Sequence, residues 1–73
     1  MQPGERFLLD EFELEATTDG YRLWAADDPA PIADVTTLPE QCQVCMLRSG
    51  LEFRCESLTD AEQKIAACRY LGL

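Results

Sequence analysis

Residues 36–50 read TTLPEQCQVCMLRSG, and the backbone assigned to them decides whether the chain carries one helix or two. Thr37 and Glu40 have the spacing of a capping box. Pro39 falls in the first turn, where its missing N–H costs nothing, Arg48 suits the last turn, and Gly50 can close the helix. Leu38, Cys42, Cys45 and Met46 then lie at i, i+4, i+7 and i+8, one face of a helix. CQVCML alternates poorly as a strand, so the punctuation favours a helix over residues 38–48. The choice also sets the thiol geometry. Cys42 and Cys45 are same-face neighbours on a helix and point to opposite sides on a strand.

Downstream, LEFRCES alternates cleanly, with Leu51, Phe53 and Cys55 on one face and Glu52, Arg54 and Glu56 on the other, the pattern of a half-buried strand. The closing segment reads as a helix. Thr59 and Glu62 repeat the capping-box spacing, Asp60 and Glu62 complement the dipole, and Gly72 lies past the end. Its buried face is Ala61, Ile65, Cys68 and Leu71, with Lys64 outside.

Upstream, Asp19-Gly20 signals a turn between strand-like flanks, predicting a β-hairpin of Phe7 to Ala16 against Tyr21 to Ala26. Leu8, Phe12, Leu14 and Ala16 share one face and Glu11, Glu13 and Glu15 the other. Asp10 breaks the apolar side, and Phe7 with Leu9 breaks the polar one. A helix is the rival reading here, and the Asp-Gly turn decides for strand. DDPAPIADV is a loop by its two prolines, ending in a short edge strand at Ile32 to Thr36. The fold class expected is α+β: a small antiparallel sheet of three or four strands, with a C-terminal helix and a second helix packed on one face.

The 73 residues form one small domain with a small core. The content of 47% hydrophobic and 27% charged residues is that of a folded protein rather than a disordered one. MQPGERFLLD has no basic run leading into an apolar segment, and nowhere do eighteen apolar residues follow one another. A soluble cytoplasmic protein with reduced cysteines is therefore expected. The net charge of −8 is unevenly spread. Residues 1–40 hold ten acids against Arg6 and Arg22, whereas residues 41–73 hold four acids and four bases. No Lys/Arg cluster is present to hold a phosphate backbone, so direct nucleic-acid and membrane binding are disfavoured and a basic protein surface is favoured.

Four thiolates are the only zinc set available, Cys42, Cys45, Cys55 and Cys68, because the chain has no histidine. Their spacing is one Cys-x-x-Cys followed by two lone cysteines, with no second knuckle. A redox pair lacks the electropositive setting that lowers a thiol pKa. Cysteine acting as a small core hydrophobe is the favoured reading, with no cofactor expected. The missing histidine also removes the usual acid/base, so no enzyme is expected. The pairs Asp27-Asp28 and Glu13-Glu15 read as solvated surface. In YRLWA, Arg22 and Trp24 face away from Leu23, which makes Trp24 a candidate contact anchor beside the acids; core placement is the alternative.

The size, acidity and layout, carried by LLDEFELEATTDG, AADDPAPIAD and ESLTDAEQKIAACRYLGL, resemble the small phage-encoded anti-CRISPR inhibitors. The resemblance implies a viral, stoichiometric inhibitor acting in the host-cell cytoplasm on a protein or nucleoprotein complex. Glu11, Glu13, Glu15, Asp19, Asp27 and Asp28 would occupy arginines and lysines that otherwise hold phosphates, with Trp24 as anchor. Two other classes stand beside it: a structural or oligomerisation module, monomeric or homodimeric, whose acidity maintains solubility, and a zinc-stabilised mini-domain.

Overall fold

The computed structural model describes residues 4–9 and 12–72. Six strands and one helix follow in order: β1 (Arg6–Leu9), β2 (Phe12–Ala16), β3 (Gly20–Ala25), β4 (Ala33–Thr37), β5 (Cys42–Met46), β6 (Glu52–Cys55) and α1 (Leu58–Tyr70). Every strand pairs antiparallel with its sequence neighbour, giving one open sheet in the order β1-β2-β3-β4-β5-β6. The class is α+β as expected, with more strands and without the second helix.

Residues 36–50 are the main correction. They form the end of β4, all of β5 and the turns on either side. Val44 decides the matter. A helix presenting Leu38, Cys42, Cys45 and Met46 would turn Val44 away from the core, whereas a strand places Cys42, Val44 and Met46 on one face, and all three are buried. The punctuation belongs to turns. Pro39 and Glu40 form the tip of the β4–β5 connection, where Leu38 N–H donates to the Gln41 carbonyl at 2.8 Å. Gly50, at φ 75°, turns the chain from β5 to β6. Proline suits a turn for the same fixed φ that suits it to a helix start, so the two signals coincide in sequence.

The expected long first strand is two strands. Phe7 pairs with Leu14 and Leu9 with Phe12, so the chain reverses between β1 and β2. The break in alternation at Phe7, Leu9 and Asp10 marks that reversal. Phe7 joins the inner face, while Leu8, expected inside, points out and is 78% exposed. Asp10 and Glu11 lie outside the described residues. At the Asp19-Gly20 turn, Gly20 is the first residue of β3 and is needed for space: a Cβ there would meet the Val35 carbonyl oxygen. The strand expected at Ile32 to Thr36 is β4, paired on both sides rather than at an edge.

Two rows of inner side chains cross the sheet, Phe7–Leu14–Leu23–Ala33–Met46 and Ala16–Tyr21–Val35–Val44–Phe53. Phe7, Leu14 and Leu23 stand side by side in the first row, and Val35 and Val44 in the second, so neighbouring strands pack apolar side chains directly against one another. Helix α1 packs across β4, β5 and β6. Its Ala61 and Ile65 are fully buried, joined by Leu58, Ala66 and Cys68 against the core. Each fully buried large side chain, such as Phe12, Leu23 or Ile65, contributes about 1.5–3 kcal/mol. The helix begins two residues earlier than expected. Ser57 is the N-cap, its Oγ accepting from Asp60 N–H at 3.1 Å, and Thr59 lies inside the first turn. Leu71, expected on the buried face, is 69% exposed, and Glu62 is buried instead.

Candidate functional site

The outer face of the sheet collects the residues that alternate with the core. One row runs Arg6–Glu15–Arg22–Asp34–Cys45–Glu52, and a second joins Leu8, Glu13 and Trp24. Opposite charges therefore stand beside one another across the strands. Arg6 pairs with Glu13 at 3.3 Å and with Glu15 at 3.5 Å. Arg22 forks onto both oxygens of Asp34, at 2.8 and 3.4 Å. That hydrogen bond, reinforced by the charge of Asp34, holds the Arg22 guanidinium above its ordinary value.

Trp24 lies on this face, as its alternation predicts. It is half-buried, its Nε1–H donates to Glu15 Oε1 at 3.0 Å, and the Arg6 guanidinium lies 5.0 Å from the ring centroid. The acids expected to form a bare stripe are thus partly spent inside the molecule. Glu13 and Glu15 are held by Arg6, and Asp27 pairs with Arg69 at 3.0 Å. Asp28 Oδ1 accepts from the Ala30 amide at 3.0 Å. Asp19 is exposed in the β2–β3 turn, and Glu11 lies outside the described residues.

The topology gathers a different acidic group. In an antiparallel meander alternate connections lie at the same end of the sheet. Glu5 before β1, Asp19 between β2 and β3, Glu40 between β4 and β5, and Glu56 after β6 therefore share one end. All four are exposed, and among the described residues none forms an ion pair. Strands lie roughly 5 Å apart, so neighbouring connections at one end are roughly 7–10 Å from one another, about one Debye length at physiological salt. Asp60 and Lys64 stand at the same end and pair at 3.1 Å. Glu5, Glu40 and Glu56 were missed in sequence because the four members of the group, with Asp19, are separated by 14, 21 and 16 residues; only counting strand reversals brings them together.

The cysteines divide between the two faces. Cys42 and Cys55 are directly opposite in register and buried, and Cys68 packs against the same core from α1. Cys45 is half-buried on the outer face between Asp34 and Glu52, so the four sulfurs do not converge. Among the described residues no group of three or more Cys, Asp or Glu side chains is arranged to hold a metal ion. Burial pushes the Cys55 thiol up, against a smaller opposing pull from Lys64, which disfavours the thiolate needed for redox chemistry or ligation. No helix is long and apolar enough to cross a membrane among the described residues. No family model, curated protein or solved structure matches this chain.

Proposed function

We propose that the chain is a non-enzymatic binding module that presents the acidic end of its sheet to a basic surface of a protein or nucleoprotein complex, as a stoichiometric inhibitor of the anti-CRISPR kind does. The observation that carries this reading is the set of exposed carboxylates on Glu5, Asp19, Glu40 and Glu56, free of arginine partners at one end of the fold. Charges left unpaired in the free protein are the ones available to a cationic partner, and they steer its approach. The ladder around Trp24 is then the support of the module rather than its contact surface.

The test is retention of partner from the native cell by the purified chain at low and high salt. Retention should fall steeply with salt and be lost on changing Glu5, Glu40 and Glu56 to Gln together with Asp19 to Asn. Changing Glu13 and Glu15 to Gln should leave it nearly intact. Salt-insensitive retention, or loss only with the second pair, sinks the proposal.

A second reading rests on the open sheet. Strands β1 and β6 are its two edges, and a free edge can pair with another copy. Sedimentation decides it: a concentration-dependent dimer disrupted by proline at an edge position supports association of copies.

A further inference from the structure

At the end of the sheet opposite the acidic group, three segments border a half-open cleft of about 600 Å³: the β3–β4 loop, the β5–β6 turn and the C-terminus of α1. Ile32 and Met46, both buried, form part of its apolar lining with Pro31 and Leu47, and Arg48 and Arg69 supply two guanidinium groups. The volume is that of a small-molecule site.

The walls are fixed by backbone hydrogen bonds. Ile32 N–H donates to the Leu23 carbonyl at 2.7 Å, and Leu47 N–H donates to the Ile32 carbonyl at 3.0 Å, which ties the loop to the turn. Gly50 N–H closes the turn onto the Met46 carbonyl at 2.7 Å. Arg69 is held from outside the cleft. It donates to Asp27 Oδ1 at 3.0 Å, and its guanidinium carbon lies 5.9 Å from the Phe12 ring centroid. Its charge also offsets the negative end of the α1 dipole. Arg48 is the distinctive group. In a chain of net charge −8, four of the six cations pair with acids among the described residues; Arg48 and Arg54 do not, and of these two it is Arg48, an exposed residue, that borders this cleft.

We propose that this cleft binds a small apolar monocarboxylate, its carboxylate held by Arg48 with help from Arg69 and its hydrocarbon part over Ile32, Met46 and Leu47. Guanidinium groups present paired N–H donors that match a carboxylate, and they are the cationic side chains of the lining. Asp28 also lines the cleft and opposes an anion. Its Oδ1 is engaged by the Ala30 amide, so Asp28→Asn can keep that hydrogen bond while removing the charge. The proposal concerns the end of the molecule away from Glu5, Asp19, Glu40 and Glu56 and stands independently of their role.

The test is a titration of the whole chain with octanoate, followed residue by residue through backbone amide NMR shifts, with 1-octanol and acetate as comparison ligands. Octanoate should give saturable shifts centred on Ile32, Met46, Leu47 and Arg48. Octanol and acetate should each bind at least about tenfold more weakly, since each lacks one half of the recognition. Arg48→Gln should weaken octanoate about tenfold with the remaining spectrum unchanged, and Asp28→Asn should tighten it a few-fold. Equal affinity for octanol, no effect of Arg48→Gln, shifts centred elsewhere, or no saturation by about 10 mM octanoate, weaker than any useful affinity, would each overturn the proposal.

Discussion

At Gly20 the side chain is absent because there is no room for one. A Cβ would overlap the Val35 carbonyl oxygen, where β3 presses against β4. Gly20→Ala should therefore cost about 2 kcal/mol by overpacking, read as a lower urea midpoint at unchanged slope. Gly50 is the contrasting case. Space around it is open, but its φ of 75° strains any L-residue, and Gly50→Ala should cost about 1 kcal/mol. An Asp-Gly pair does not distinguish these two reasons for glycine. The turn was legible from Asp19-Gly20, whereas the close approach of Val35 is a contact between strands. At Trp24 the same division holds: alternation placed it on the outer face, but its partners Arg6 and Glu15 come from two other strands.

At the scale of elements, β5 and α1 carry the sharpest tests. A helix over residues 38–48 would put Cys42 and Cys45 on one face, and the strand separates them. Cys42→Ser should cost about 1–3 kcal/mol by burying a hydroxyl on the inner face, and Cys45→Ser should stay within about 0.5 kcal/mol. Equal effects in urea denaturation would contradict the register. The hairpin was misread because Thr37, Pro39, Glu40 and Gly50 serve a turn as readily as a helix end, while the alternation of Cys42, Val44 and Met46 covers only five residues.

Helix α1 was legible, and its start was displaced by two residues. Ser57→Ala should cost about 1 kcal/mol through the lost cap. Asp60 Oδ2 accepts from the Glu56 amide and from Lys64, each at 3.1 Å. The amide first and Lys64 second hold the Asp60 carboxyl below its ordinary value of 3.8. A carboxyl lowered on folding stabilises the native state above its unfolded value, and that contribution is lost as pH falls below 3.8 through the lowered folded value. Asp60→Asn should therefore flatten the acid side of the stability curve, measured as the urea midpoint between about pH 5 and pH 2. A variant with the parent's slope would show that the contacts do not form in solution.

For the whole molecule the decisive feature is the sorting of charge by strand reversal. Folding brings Glu5, Asp19, Glu40 and Glu56 to one end, where they repel. The variant with all four neutralised should show a higher urea midpoint than the parent at low salt, and the two should converge at about 1 M NaCl, where screening acts within roughly 3 Å. A difference independent of salt would mean that the four carboxylates are not neighbours.

Taken alone, the sequence determined the fold class, the C-terminal helix, β2 and β3 with the turn between them, the outward face of Trp24 and the overall negative charge. The charge follows from composition, and the elements follow from side-chain period and turn chemistry acting within about a dozen residues. The tertiary structure alone decided that residues 36–50 form half of a hairpin, that β1 and β2 are separate strands, and that Arg6 takes up the stripe of Glu13 and Glu15. It also decided which distant acids meet at one end. These outcomes depend on which strands lie side by side, and cross-strand neighbours are set by burial and register over the whole sheet rather than by any local stretch of chain.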